Sequence, residues 1–184
     1  MSRYYLMSQL PSLDGIGDNA PLPITEERFS ELCMRFLDKK AQRELSRLTL
    51  LPPRDCEQSD SALITSWNEG ERCLRLALLK VRAERLSKPF DCESDSIPTE
   101  LMQIARTAIE MRDPLEAESF LNRYRFELLE ALRPADTFSK DAVFYYGLKL
   151  KLLLRIRQFD REKGKAAYKD IYYSILNGDR LEVE

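Results

Sequence analysis

The 184-residue sequence contains no histidine. The commonest general base and a frequent zinc ligand are therefore both missing. Glycine is sparse, with six in the chain, and neither GxxxxGK[ST] nor GxGxxG occurs. Gly15-Ile16-Gly17 lacks the third glycine, the strand and the helix that a phosphate cradle needs. The sequence argues against nucleotide binding by those routes. Four cysteines, Cys33, Cys56, Cys73 and Cys92, lie about 20 residues apart with no CxxC pair, a spacing that argues against a zinc site or redox motif. The opening MSRYYLMSQLPSLD is too short, and too interrupted by Ser and Gln, for a signal-peptide core. The cysteines thus read as reduced thiols of a cytoplasmic protein. No stretch approaches about 18 uncharged apolar residues, so no membrane span is expected. A charge excess is lacking too: 33% of residues are charged, yet the net charge is −2. That balance excludes a dedicated nucleic-acid binder or a basic membrane-surface protein.

What is present points to helices. Hydrophobic residues make up 43% of the chain, enough for a sizeable core, and Leu, Glu, Arg and Lys are abundant. No sustained alternation with hairpin turns occurs, so the expectation is an all-α fold. Residues 1–184 are expected to form one elongated bundle of about six or seven helices, two of them central. A helical hairpin over 25–50 would pack on a main bundle over 61–177.

The stretch Asp113 to Leu132 carries the clearest helix signal. Asp113 suits the N-cap, Pro114 the first helical position, and Glu116 the return residue of a capping box. Ala117, Phe120, Leu121, Tyr124, Leu128 and Leu132 fall on one face; Leu115, Phe126 and Leu129 fall roughly opposite. Two apolar stripes mean a helix covered on both sides, or one with a side left for a partner. A second helix of this kind follows Ser139, with Tyr145, Leu148, Leu152, Ile156 and Phe159 on one side and Val143, Tyr146, Leu150, Leu153 and Leu154 around the other.

Elsewhere, Thr25 starts a helix that buries Phe29, Leu32, Cys33, Phe36 and Leu37, and a shorter one turns Ala41, Leu45 and Leu48 inward. A long helix from about Ser61 to Leu86 aligns Leu63, Trp67, Leu74, Ala77, Leu78 and Val81 and spans about 40 Å at ~1.5 Å per residue, with Gly70 as its weak point. Pro98 opens a helix to Met111 with Leu101, Ala105, Ala108 and Ile109 inward. Residues 3–10 are apolar but of no clear type. A last helix, or a continuation of the preceding one past Gly164, carries Ala167, Tyr168, Ile171, Tyr172 and Ile175, with Gly178 fitting the position just past its end.

Chemistry is harder to find. Asp91, Glu93 and Asp95 alternate like the start of a calcium loop, but Ser96 stands where the glycine belongs and Met102 where the bidentate acid belongs. Glu116 with Glu127 or Glu130 makes an acid pair that chance alone supplies among 31 acidic residues. Lys149, Lys151, Arg155, Arg157 and Arg161 make one helix basic, which reads as cations paired with the acidic central helix or simply solvated. Phe126 stands among Arg123, Arg125 and Glu127, away from the main stripe. It is either a second internal contact or part of a protein-binding patch. Phe126, Arg123, Lys151 and Arg155 are therefore the candidate protein-contact residues; no catalytic, cofactor or metal residues are identified.

YYLMSQLPSL, RDPLEAESFLNRYRFELLEAL and YYGLKLKLLLRIRQFDREKG together resemble an uncharacterised bacterial family associated with V-type (archaeal-type) ATPases. That family is thought similar to the C-type stalk component of these ATPases, whose eukaryotic counterpart is the d-type component. The resemblance implies an all-helical, non-catalytic coupler between the central stalk and the membrane rotor ring. It implies protein partners in the stalk or rotor, no cofactor, no nucleic acid, no direct membrane insertion and no small-molecule substrate. The expected location is cytoplasmic, held peripherally at the inner face of the membrane through the complex. The chain is much shorter than a full C-type component, which speaks against a one-for-one replacement. A freestanding helical adaptor, and a metal-dependent enzyme built on clustered carboxylates, stay open as alternatives.

Overall fold

In the computed structural model, residues 2–16, 20–53, 59–90, 97–158 and 161–178 are described. Gly17, Cys56, Asp91, Cys92, Glu93, Asp95, Ser96 and Phe159 lie outside them. Among the described residues the regular structure is wholly α-helical, in eight helices. They are α1 (Ser2–Gln9), α2 (Glu26–Phe36), α3 (Lys39–Ser46), α4 (Ala62–Arg85), α5 (Thr99–Glu110), α6 (Pro114–Ala131), α7 (Lys140–Gln158) and α8 (Arg161–Gly178). The number exceeds the expected six or seven because the opening residues form a helix of their own.

The helix starts follow the capping residues. Thr25 accepts from the Arg28 N–H at 3.2 Å, Asp38 from Ala41 at 2.9 Å, and Ser61 from Ile64 at 3.2 Å. Ser139 accepts from Ala142 at 3.1 Å. Each satisfies an amide that has no partner inside its own helix. Asp113 caps α6 by accepting from Leu115 at 2.9 Å, one residue earlier than a capping box would place the bond. Gly178 is the last helical residue of α8, so it lies inside the helix expected to end before it.

The core divides into two clusters. One gathers Leu6, Phe29, Leu32, Ala41, Leu48, Trp67, Leu129, Phe144 and Leu148, so α1, α2 and α3 share it with the first half of α4, the second half of α6 and α7. The other gathers Leu74, Ala77, Leu78, Val81, Leu101, Ala105, Ala108 and Leu121, from the second half of α4, α5 and the first half of α6. Two helices are central. α6 packs on α4, α5 and α7, and α7 packs on α2, α3, α4 and α6. Of the two, α7 is the more enclosed: every residue from Ala142 to Leu150 is buried.

Two glycines permit the closest approaches. A Cβ at Gly70 would stand 2.7 Å from Leu128 Cδ2, so the suspected weak point of α4 is where α6 presses against an unbroken helix. A Cβ at Gly147 would stand 3.0 Å from Leu48 Cδ2 and 3.2 Å from Phe29 Cε1. There α7 meets the hairpin of α2 and α3.

Candidate functional site

A buried ionic layer lies between the two core clusters. On α4, Glu71 falls between Trp67 of one cluster and Leu74 of the other; on α6, Arg125 falls between Leu121 and Leu129. Glu71 is 1% exposed. Its carboxylate takes two hydrogen bonds from Arg125, Nε at 3.0 Å and Nη2 at 3.1 Å, and one from Arg75 Nε at 3.0 Å. Arg125 Nη1 also donates to Asn122 Oδ1 at 3.0 Å and reaches Glu118 Oε1 at 3.4 Å. Arg155 of α7 donates twice to the same Glu118 oxygen, at 3.2 and 2.7 Å. A bidentate fork of this kind offsets the cost of removing both charges from water. It also fixes the register of α4, α6 and α7.

A second polar cluster sits under the connector that follows α1. The Lys149 ammonium of α7 donates to Asp14 Oδ1 at 2.6 Å, Glu130 Oε1 at 2.5 Å and Tyr145 Oη at 3.4 Å. Burial opposes its charge, but the bonds to Asp14 and Glu130 outweigh burial and hold the ammonium above its ordinary range. Asp14 is lowered by the bond from Lys149. Glu130 is lowered too: burial works against it, and the bonds from Lys149 and Tyr145 prevail. Tyr145, which donates to Glu130 at 2.6 Å, is pushed up to about 12 by burial and by that bond. Tyr146 donates to the Pro11 carbonyl at 2.8 Å. Around these groups is a half-open pocket of about 170 Å³, walled by Met7, Leu10, Leu13 and Ala142 and rimmed by Arg133 and Lys149.

The basic helix is mostly paired. Lys151 bonds Glu26 of α2, and Arg155 bonds Glu118 of α6. Lys149, Lys151 and Arg155 thus tie α7 to its neighbours. Arg123 is exposed and Phe126 half-buried, three residues apart on α6. The structure therefore separates the four candidate contact residues into two helix-locking cations on α7 and two side chains on α6, of which Arg123 reaches solvent. Cys33 is a buried free thiol raised to about 12 by burial, and Cys73 is half-buried. Among the described residues no group of three or more Cys, Asp or Glu side chains is placed to hold a metal ion. None of their helices is long and apolar enough to cross a membrane.

The largest departure from expectation is α8. Every residue from Gly164 to Ile175 is exposed. Tyr168 is 68% exposed, Ile171 60%, Tyr172 49% and Ile175 60%. These four recur at the i, i+3, i+4, i+7 spacing that makes one continuous helix face. Tyr168 stacks on Tyr172 at 6.2 Å between ring centroids, and Tyr172 meets Tyr173 edge-on at 5.8 Å. The stripe is preassembled, and it faces solvent.

No curated protein and no solved structure matches the chain. A family profile described as protein of unknown function (DUF2764) matches residues 84–178, from the last turn of α4 through α8. Those residues hold α5, the ionic partner Arg125, all of α7 and the exposed stripe. With just over half of its length matched, the chain belongs to the DUF2764 family.

Proposed function

We propose that the chain is a non-catalytic component of a V-type ATPase that couples or stabilises the central stalk and membrane rotor through protein contacts. The observation that carries the contact half of this reading is α8. An isolated helix of about 18 residues is marginal in water, because its stability comes mainly from burying an apolar face. Here that face presents Tyr168, Ile171, Tyr172 and Ile175, aromatic and aliphatic anchors of the kind that carry binding energy at interfaces. An amphipathic helix offering i, i+3, i+4 and i+7 anchors suits a groove or helix pair on another protein. The ATPase half rests on the resemblance carried by the α6 and α7 sequences. A body locked by ionic ties between α4, α6 and α7 suits a part that transmits force rather than yields to it.

The test is a native pull-down of the tagged chain from mildly solubilised membranes, with mass spectrometry of what co-elutes. Proteins of the stalk or rotor are expected. Good recovery of the chain with none of those proteins would contradict the ATPase assignment, and a different dominant partner would select a freestanding adaptor.

A further inference from the structure

The smaller core cluster is set apart from the larger one by charge. It is built by the second half of α4, by α5 and by the first half of α6. α5 packs on α4 and α6. Glu71, Asn122 and Arg125 are buried on α4 and α6, at the level where the smaller cluster ends and the larger begins. Separating the helices up to this level bares the apolar side chains of the smaller cluster alone. Going further must also break the bidentate bond from Arg125 to Glu71, at 3.0 and 3.1 Å, and strand charges that are well paired. If the separation stops there, the pair meets water still closed. Gly70 stands next to Glu71 inside α4, and glycine is among the residues at which a helix unwinds most cheaply. One tie crosses from α7 to the first half of α6. Arg155 donates to Glu118 at 3.2 and 2.7 Å, through side chains that are 29% and 22% exposed. Water already reaches that bond, so it resists opening less than the buried pair does.

We propose that the second half of α4, α5 and the first half of α6 open reversibly as one unit while the larger cluster stays folded. The Glu71–Arg125 pair is the boundary of the unit, and the Arg155–Glu118 bond is its latch. Opening bares the apolar faces of Leu74, Leu78 and Leu121. The inference draws neither on α8 nor on the ATPase reading.

The test is native-state hydrogen exchange of the full chain, followed by NMR at low urea concentrations. The amides of Leu78, Ala105 and Leu121 lie on three different helices. They are expected to share one opening equilibrium and one urea dependence, and to be protected at least about 100-fold less than Leu148 and Leu150 of α7. Two variants locate the boundary and the latch. Ile24→Val trims the larger cluster, which is intact in both the closed and the opened state. It is expected to speed exchange at Leu148 roughly two- to tenfold and to leave Leu78, Ala105 and Leu121 unchanged. Glu118→Gln weakens the latch and is expected to speed exchange at those three amides by a common factor of about three or more. Exchange of the three amides with the protection and urea dependence of Leu148 would overturn the proposal. So would three unrelated urea dependences, faster exchange at the three amides in Ile24→Val, or unchanged exchange there in Glu118→Gln. The comparison of amides in the unaltered chain decides whether the unit exists even without the variants.

Discussion

Glu71 and Arg125 show what a single charged pair does in an apolar setting. Removing Arg125 takes two of the three hydrogen bonds from the buried Glu71 carboxylate and leaves it only the bond from Arg75. Arg125→Met is therefore expected to cost about 3–5 kcal/mol of stability, read from urea unfolding. The double substitution of Glu71→Met with Arg125→Met is expected to recover most of that loss, because an apolar pair of similar volume fits the same layer. If the double variant is no more stable than Arg125→Met alone, the layer is held by something other than this pair. The signal for it was in the sequence. Glu71 falls on the α4 face between Trp67 and Leu74, and Arg125 between Leu121 and Leu129. An apolar stripe shows a charge in its midst but not which distant charge answers it.

Lys149, Asp14 and Glu130 give the fold a pH dependence with a definite sign. Both carboxyl groups titrate lower when folded than their ordinary values of 3.8 and 4.5. Below those values the unfolded chain takes up protons that the folded chain still refuses, so acid favours unfolding. Stability from the cluster is present above that range and is lost as the pH falls through the folded values. Thermal melts taken from neutral pH into acid are expected to show this decline, and Lys149→Met is expected to flatten it. An equally steep decline in the variant would assign the acid sensitivity elsewhere. Lys149 was legible as part of a basic helix, but its partner Asp14 lies far away in a connector that no local pattern links to α7.

At the scale of elements, local rules account for most of what formed. The caps at Thr25 and Ser139 and the apolar stripes of α2, α4 and α5 stand where the sequence places them, because side-chain period and cap chemistry are properties of short stretches. The two-sided helices were legible for the same reason. Their ranking was not: α7 is buried along nine consecutive positions, and enclosure depends on which neighbours arrive. Gly147 marks one such arrival. Gly147→Ala would push a methyl group against Leu48 and the Phe29 ring, and the ring has little room to give. A loss of about 1–3 kcal/mol is expected from this overpacking, despite the helix preference for Ala. An unchanged or raised melting temperature would mean that α2 and α3 move away freely.

α8 marks the limit of pattern reading. Its stripe states that a face is apolar without stating what covers it. The sequence alone places Tyr168 and Ile171 on the same footing as Leu74 and Ala77, which are buried, whereas the α8 side chains face solvent. Ile171→Asp is accordingly expected to change stability by no more than about 0.5 kcal/mol, as surface exchanges do. Leu74→Asp, in the core, is expected to prevent folding. A cooperative loss of structure in Ile171→Asp would place α8 against the body of the protein.

For the whole molecule, the two core clusters, the ionic layer between them and the connector pinned by Lys149 make a body with many internal ties. The exposed stripe of α8 is its most distinct outward feature. Contacts with other proteins belong at this scale, since no single residue on the surface performs chemistry by itself in this reading. The measurement that bears on it most directly is a side-by-side pull-down from solubilised membranes of the unaltered chain and the Ile171→Asp/Tyr172→Glu double variant, with the melting temperature of each recorded. The account expects the partners retained by the unaltered chain to be lost from the variant while both melt alike. Partners retained in full by a normally folded variant would contradict it.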